Sequence, residues 1–388
     1  MAKQSPKKKV SGAGKKRKVS FSVKLFLFLN ALAVIPLLGS YLAAYVPPEN
    51  FWPIAFLGLV YPALIIINLL FIIFWLFLLR KYFLISLVAI LIGWSHIGAH
   101  LRFNSRVNAD SLCGKIKIMS YNVRLFDLYN WKDSKSKATR DKIFDLIYSE
   151  SPDILCIQEF YGGDKRHFNV LDTLLSFQNA KYCHVSYIKG KRSDLPVGIA
   201  IFSKYPIVRN QEVTYQNSKD NFCIYSDVLI GHDTVRVINT HLESIRLGRE
   251  DYLFVSDLAS NRTENHDISL GSKKIFGKMR SAYIKRAEQV RSVRKEIDQS
   301  PFPVILCGDF NDTPSSYVYH KIEQKLNDAF VEAGSGMGKS YAGVIPLFRI
   351  DYIFHDTSFV AHNFKTLDAE LSDHYPITTL LTFNHPRR

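Results

Sequence analysis

The chain has 388 residues and a formal net charge of +15 at pH 7, but the charge is unevenly spread. Residues 1–108 carry 13 Lys/Arg against the single acid Glu49, whereas residues 109–388 carry 37 Lys/Arg against 34 Asp/Glu. The larger part is thus nearly neutral, which argues against a protein built mainly to grip nucleic-acid phosphates, and five cysteines without Cys-x-x-Cys or Cys/His spacing exclude a structural zinc motif.

In chain order, residues 1–24 are rich in Lys, Ser and Gly and are expected to form a disordered basic tail. Three apolar stretches follow, Leu25–Val46, Phe51–Leu79 and Tyr82–Leu101. Each has the roughly 20-residue length needed to cross a hydrocarbon core of about 30 Å. Three transmembrane helices over 25–101 are therefore expected, with the lipid bilayer as partner and no obligate protein partner. The second stretch is long for one crossing, so a tilt or a bend near Pro62 is expected. Pro47-Pro48-Glu49-Asn50 makes the first connection and Arg80-Lys81 the second. The basic tail and Arg80-Lys81 belong on the cytoplasmic side, which places everything after Leu101 outside it; Arg102 and Arg106 pull the other way. The expectation is a multi-pass membrane protein with a cytoplasmic N-terminus and an extracytoplasmic C-terminal domain. Few charges lie within the spans, which favours an anchor over a transport route. His96 and His100 mark the interfacial end of the third.

After a linker over 102–114, the pattern from Lys115 changes to short β-type runs alternating with helical segments, an α/β arrangement filling 115–388. Four apolar runs stop abruptly at a polar residue: Ile116–Met119 leads to Asn122, Ile154–Ile157 to Glu159, Val235–Ile238 to His241, and Val304–Cys307 to Gly308-Asp309-Phe310-Asn311. Ser372-Asp373-His374 sets a carboxylate beside an imidazole. Polar groups at strand ends are how a layered protein assembles a rigid site. Thr139–Ser149 reads as an amphipathic helix, Lys278–Ile297 as a long charged one, and Ser244–Gly277 as a surface excursion. Ala333-Gly334-Ser335-Gly336-Met337-Gly338-Lys339-Ser340 satisfies a loose phosphate-loop pattern, but Tyr341-Ala342-Gly343 and Pro346 cannot sustain the helix such a loop requires. That segment is expected to border the cleft instead, with Tyr341 as a substrate contact.

Asn122, Gln158-Glu159, Asn239-Thr240-His241, Gly308-Asp309-Phe310-Asn311, Arg349-Ile350-Asp351-Tyr352 and Ser372-Asp373-His374 occur in this order. The series resembles the endonuclease/exonuclease/phosphatase superfamily, the deoxyribonuclease-I-like fold, over roughly residues 115–385. The resemblance implies a four-layer sandwich: two packed, mostly antiparallel β-sheets with helices outside. It also implies a phosphoesterase. His241 stands where abasic-site endonucleases and their exonuclease relatives carry Tyr and the deoxyribonuclease-, sphingomyelinase- and inositol-phosphatase-like branches carry His, and Arg124 stands where an Asp usually lies two residues after the Asn, Asp127 coming later; both departures weaken a DNA-repair reading.

If Glu159, Asp309 and Asp373 converge, two of these anions about 4 Å apart repel by roughly 4 kcal/mol at an effective dielectric of about 20. The cluster then needs a cation or a shared proton, and all-oxygen ligands favour Mg2+ or Mn2+. By resemblance Glu159 is the principal metal carboxylate, supported by Asn122, with Asp373 nearby. Asp309 orients or deprotonates the attacking water, and Asn311 holds that water or a phosphate oxygen. Asp351 and His374 resemble the family's carboxylate–imidazole pair, and His241 binds phosphate or protonates the leaving oxygen. Arg286 and Gln289 are expected to make buried structural hydrogen bonds. The expected activity is Mg2+-dependent hydrolysis of a phosphodiester or phosphomonoester, with a lipid headgroup, a sugar phosphate or nucleic acid as substrate. The competing readings are an extracytoplasmic nuclease and a non-catalytic tethered binding module. Loss of a metal carboxylate would mark the latter, and none is missing.

Overall fold

The computed structural model describes residues 20–129, 137–164, 168–177, 180–188, 196–215, 222–246, 248, 250–251, 253–254, 265–343 and 348–384. The basic tail lies outside the described residues up to position 19.

Twelve strands form two six-stranded sheets. They are β1 (Ile116–Asn122), β2 (Ile154–Tyr161), β3 (Tyr182–Tyr187), β4 (Val197–Ser203), β5 (Ile207–Val213), β6 (Phe222–Ile230), β7 (Asp233–His241), β8 (Val304–Asp309), β9 (Asn327–Asp328), β10 (Asp351–His355), β11 (Phe359–Thr366) and β12 (Ile377–Phe383). One sheet has the order β9-β10-β8-β7-β6-β5, the other β11-β12-β1-β2-β4-β3. Each contains one parallel pair, β7 with β8 and β1 with β2, among antiparallel neighbours. Parallel strands buried on both faces read as continuous apolar runs rather than alternations, which is why 116–119, 154–157 and 304–307 looked as they did.

The sheets face each other across a core that includes Ile116, Ile118, Ile154, Cys156, Ile224, Val237, Ile305 and Cys307. On one outer face, Lys137–Glu150 and Val170–Phe177 pack through Ile143, Phe144, Ile147, Val170 and Leu174. On the other, Asn265–Asp298 and Tyr317–Glu323 pack through Ala287, Val290, Val293, Val318 and Ile322. This is an α/β fold of two mixed sheets with helices on both outer faces.

The long helix begins at Asn265, well before the expected Lys278. Gly271 and Gly277 weaken helical propensity there, but tertiary packing prevails: a Cβ at Gly271 would strike the Phe254 ring at 2.3 Å. The excursion expected over Ser244–Gly277 is thus helical from 265 onward, and part of it lies outside the described residues.

The N-terminal unit comprises α1 (Phe21–Tyr41), α2 (Pro48–Phe51), α3 (Pro53–Leu59), α4 (Tyr61–Phe77), α5 (Phe83–Ile92) and α6 (Trp94–His100). Three continuous spans are not what it contains. One helix, Phe21–Ala44, is long and apolar enough to cross a membrane; α3–α4 and α5–α6 are each broken, by 66° and 70°. The first break falls at Val60, where Pro62 opens α4 within its first two positions, a place that tolerates the missing N–H. The second falls at Gly93, and there α6 turns toward the sandwich. Inside the unit, Asn30 Nδ2 donates to Ser86 Oγ (2.6 Å), Ser86 Oγ to Asn68 Oδ1 (2.9 Å), and Trp75 Nε1 to Asn30 Oδ1 (3.0 Å).

Candidate active site

Side chains from both sheets meet at one end of the sandwich. Register alone places His241, Asp309 and Asp351 in one row across β7, β8 and β10, because His241 is paired with Asp309 and Asp309 with Asp351. In the facing sheet Asn122 is paired with Gln158, next to Glu159. Gln158 Nε2 donates to Asn239 Oδ1 (2.6 Å), and Asn239 Nδ2 to the carbonyls of Ile157 (3.1 Å) and Ala200 (2.8 Å), bolting the two sheets together beneath the site.

Local backbone geometry aims the groups. A bulge between Ile157 and Phe160 shifts the β2–β4 register, and Glu159 sits in it at φ 49°. Bulges re-aim a side chain in this way. Gly308 lies so close to β7 that a Cβ would stand 2.1 Å from the Thr240 carbonyl oxygen, so only glycine allows Asp309 its place beside His241. Asn311, at φ 52°, donates its backbone N–H to Asp309 Oδ1 (2.8 Å), closing an Asx turn. Such non-glycine outliers cost on the order of 1–3 kcal/mol each and concentrate at functional sites.

Asp309 is the hub. Its Oδ2 accepts from Asn122 Nδ2 (3.0 Å) and lies 3.6 Å from both His241 Nε2 and His374 Nε2. Glu159 Oε1 is 3.5 Å from Asn122 Nδ2 and 3.9 Å from His241 Nε2. His374 Nδ1 is hydrogen-bonded to Asp351 Oδ2 at 2.8 Å, which leaves Nε2 turned toward Asp309. Asp351 is itself fixed: Ser340 Oγ accepts the N–H of Ile350 (3.0 Å) and of Asp351 (2.9 Å). Asp373 lies 3.6 Å from Arg124 Nε, and Ser372 Oγ donates to the Asn122 carbonyl (2.8 Å). The Tyr341 ring stands edge-on to His374, with centroids 5.6 Å apart. Asn311 Nδ2 donates to the Leu242 carbonyl (3.1 Å) and to Asp309 Oδ2 (3.3 Å).

Burial lifts the Glu159 carboxyl above its ordinary value; His241 opposes this, and Asp373 adds to it. Burial likewise raises Asp351, against the pull of His374. For His374 burial works toward the neutral ring, but Asp351 and Asp309 beside it prevail and hold the imidazolium well above the ordinary range.

Asn122, Glu159, His241, Asp309, Asn311, Asp351, Asp373, His374 and Tyr341 thus gather in one cluster. Arg286 and Gln289 lie behind it: Arg286 Nε donates to Asp312 Oδ2 (3.1 Å), and Gln289 Oε1 accepts the Glu243 N–H (2.8 Å). Arg124 and Ser340 were not singled out as site residues. Arg124 carries only the spacing from Asn122, and Ser340 lies inside the rejected phosphate loop, after which none of the described residues up to Asp351 is helical.

A model of the endonuclease/exonuclease/phosphatase family matches residues 119–374, and one described as a domain of unknown function matches residues 23–100. The chain belongs to the endonuclease/exonuclease/phosphatase family. Among solved structures, the human nocturnin catalytic domain with bound sulfate superposes with a TM-score of 0.51 at 20% identity, covering 72% of this chain and 98% of that one. The mannosyl-6-phosphatase of Bacteroides thetaiotaomicron gives 0.50 at 17%, covering 69% and 100%. At these identities the likeness is one of fold. An uncharacterized calcium-binding protein of Arabidopsis thaliana is 21% identical over 242 residues, 56% of this chain and 44% of its own length. The 2′,5′-phosphodiesterase 12 of Mus musculus is 24% identical over 132 residues, 32% of this chain and 21% of its own. The chain spans less than half the length of these curated relatives.

Proposed function

We propose that the protein is a membrane-anchored, Mg2+-dependent phosphoesterase acting on a phosphorylated lipid headgroup. The observation that carries the reading is the meeting of six chain segments around Asp309, with Asn122, His241 and His374 all within 3.6 Å of one carboxylate oxygen.

The donor set fits a hard divalent cation, since the cluster offers carboxylate and amide oxygens and no thiol. Glu159, already pushed up by burial and by Asp373, is the carboxylate such an ion would relieve. Asp309, Asp351 and His374 also lie close enough to suggest a metal cage, but the His374–Asp351 hydrogen bond occupies that face. Glu159, Asn122 and Asp373 would hold the ion, Mg2+ or, as second choice, Mn2+, and the bound ion supplies Lewis-acid neutralisation of phosphate charge. The remaining roles fall to side chains. Asp309 orients the attacking water and takes its proton. Asn311 steadies a phosphate oxygen. His374, held in one tautomer by Asp351, presents a protonated Nε2 to the phosphate, and His241 donates to the departing oxygen. Tyr341 borders the substrate.

Membrane anchorage is supported by the surface of the N-terminal unit, where Phe28, Ile35, Leu70, Ile73, Phe77 and Leu79 are all exposed. Patches of this extent mark contact with lipid or protein. We read α3–α4 and α5–α6 as two bent crossings beside α1, which makes three. The Glu49 connection and Trp94–His100 both lie against the sandwich, which is compatible with a three-crossing path in either orientation; the cytoplasmic N-terminus rests on the basic residues alone. The near-neutral sandwich beside a bilayer favours a headgroup over a nucleic acid.

The test is a substrate panel on the full chain in nanodiscs. Mg2+-dependent release of phosphorylated headgroup is expected, abolished by EDTA and lowered at least about 10²-fold in Glu159→Ala and His374→Ala without loss of fold. Nicking of plasmid DNA with no headgroup release would transfer the assignment to a nuclease.

A further inference from the structure

The strand β8 ends at Asp309, and the loop that leaves it runs through Asn311 to Ser316. Thr313 and Ser315 in that loop are each 1% exposed, and what covers them is the N-terminal helical unit. Thr313 Oγ1 donates to the Gly58 carbonyl at the end of α3 (3.4 Å), and His100 Nε2 in α6 is hydrogen-bonded to Ser315 Oγ (2.9 Å). Gly58 approaches so closely that a Cβ would lie 3.0 Å from the Ser315 carbonyl oxygen and 2.7 Å from Ala43 Cβ. From the opposite side Arg286 holds Asp312, and Tyr352 Oη donates to the Asp312 carbonyl (2.8 Å). The loop is therefore clamped between the sandwich and the helices.

A second tie reaches Asp351. The Ala99 carbonyl accepts from Arg349 Nη2 (2.8 Å), and Arg349, 3% exposed, lies two residues before Asp351 with its Nη1 2.7 Å from Asp328 Oδ2. An outer seam adds the Glu49–Arg291 ion pair (2.6 Å) and the packing of Trp52 and Phe56 on Phe276. Phe276 belongs to the early part of the long helix, so the excursion over 244–277 supplies docking surface for the anchor.

A tether needs none of this, because the linker over 102–114 would suffice. Removing the helices would open Thr313, Ser315 and Arg349 to water and take away the hydrogen bonds that hold the loop from outside, so its position would no longer be fixed. A misplacement of about 1 Å at reacting groups can cost about 10²-fold in rate.

We propose that the N-terminal helices complete the active site: Gly58 and His100 position the Asp309–Ser316 loop, with His100 acting as a positioning residue. The proposal rests on the assignment of Asp309 and Asn311 to the site. It is tested on the full chain in nanodiscs with bis(p-nitrophenyl) phosphate, a soluble probe indifferent to membrane access. His100→Ala and Ser315→Ala should each lower kcat about tenfold with KM within about twofold of wild type. His100→Gln, whose amide can reach Ser315, should recover most of it, and the double variant should be no worse than either single one. The lipid-facing Ile73→Ala should behave as wild type. Hydrogen exchange over Asn311–Ser316 should rise about tenfold in His100→Ala, whatever the substrate. Unchanged exchange there, or wild-type kcat in both single variants, overturns the proposal, as does a loss that tracks the melting temperature and ignores His100→Gln. Full activity in Glu159→Ala would instead sink the active-site assignment itself.

Discussion

The two halves of this molecule bury opposite kinds of side chain. In the sandwich, Ile118, Ile154, Val237 and Ile305 are buried and polar side chains cover the outside. In the helical unit the arrangement is inverted: leucines, isoleucines and phenylalanines face outward, while Asn30, Asn68 and Ser86 are enclosed and hydrogen-bonded to one another. Water drives the first pattern. The second is the pattern expected of helices in a solvent as apolar as leucine, the setting proposed for this unit, where polar contacts and close packing hold helices together. The polar groups themselves differ as well. The sandwich buries an ion pair, with Arg236 Nε and Nη2 on the two Asp227 oxygens at 2.8 and 3.0 Å, whereas the helical unit buries neutral amides and a hydroxyl.

That contrast is breakable, and the largest effect belongs to the sandwich. Asp227→Ala leaves the Arg236 guanidinium, 3% exposed and stacked 3.9 Å over Tyr225, without its counter-charge. Removing one partner of a buried pair costs about 3–5 kcal/mol. Thermal or denaturant unfolding of the domain should show that loss, and a melting temperature within a degree of wild type would contradict it. A smaller effect is expected from Asn68→Leu. Its Nδ2 donates to the carbonyls of Ala33 (3.1 Å) and Leu64 (2.9 Å), while its Oδ1 accepts from Ser86. Interhelical hydrogen bonds in lipid are worth about 0.6–2 kcal/mol. Detergent-unfolding curves of the helical unit should therefore shift modestly, with the sandwich transition unmoved; a shift of several kcal/mol would mean that the unit is solvated as the sandwich is.

The smallest effect probes the edge of the seam. The Lys278 ammonium hydrogen-bonds the Asp251 carboxylate and is the main reason that group titrates below its ordinary 3.8; burial opposes it, and the Gly248 N–H and Lys274 assist. A depressed carboxyl contributes stability that is complete above the unfolded value and lost as pH falls through the folded one. Hydrogen exchange across Lys274–Tyr283 should accelerate only below about pH 4, ahead of the sandwich strands. Acceleration beginning near neutrality would contradict this linkage.

Much of the candidate site is legible in the sequence. Asn122, Glu159, His241 and Asp309 each close an apolar run, and a chain that buries a strand on both faces must end it where polar groups can reach solvent. Ser340 was not legible. It lies in a glycine-rich stretch without periodicity, and only the fold brings its hydroxyl under the backbone of Ile350 and Asp351. The breaks at Val60 and Gly93 were half legible: Pro62 announced a bend, but nothing in the apolar composition of Tyr82–Leu101 separates α5 from α6. The start of the long helix was misplaced because Gly271 and Gly277 argue against helix locally, while packing against the rest of the chain outweighs them.

Composition and periodicity determined the division of this chain, since hydropathy and strand alternation are local properties that each segment carries alone. Motif order determined the family, because its motif residues leave neighbouring strands in a set succession. What only the tertiary structure decided is how the halves meet: the contacts of Gly58, Ala99 and His100 with Thr313, Ser315 and Arg349 join residues more than 200 positions apart. No local pattern encodes such a pairing. It exists because the broken ends of two apolar helices and the loop after β8 bury their polar groups against one another.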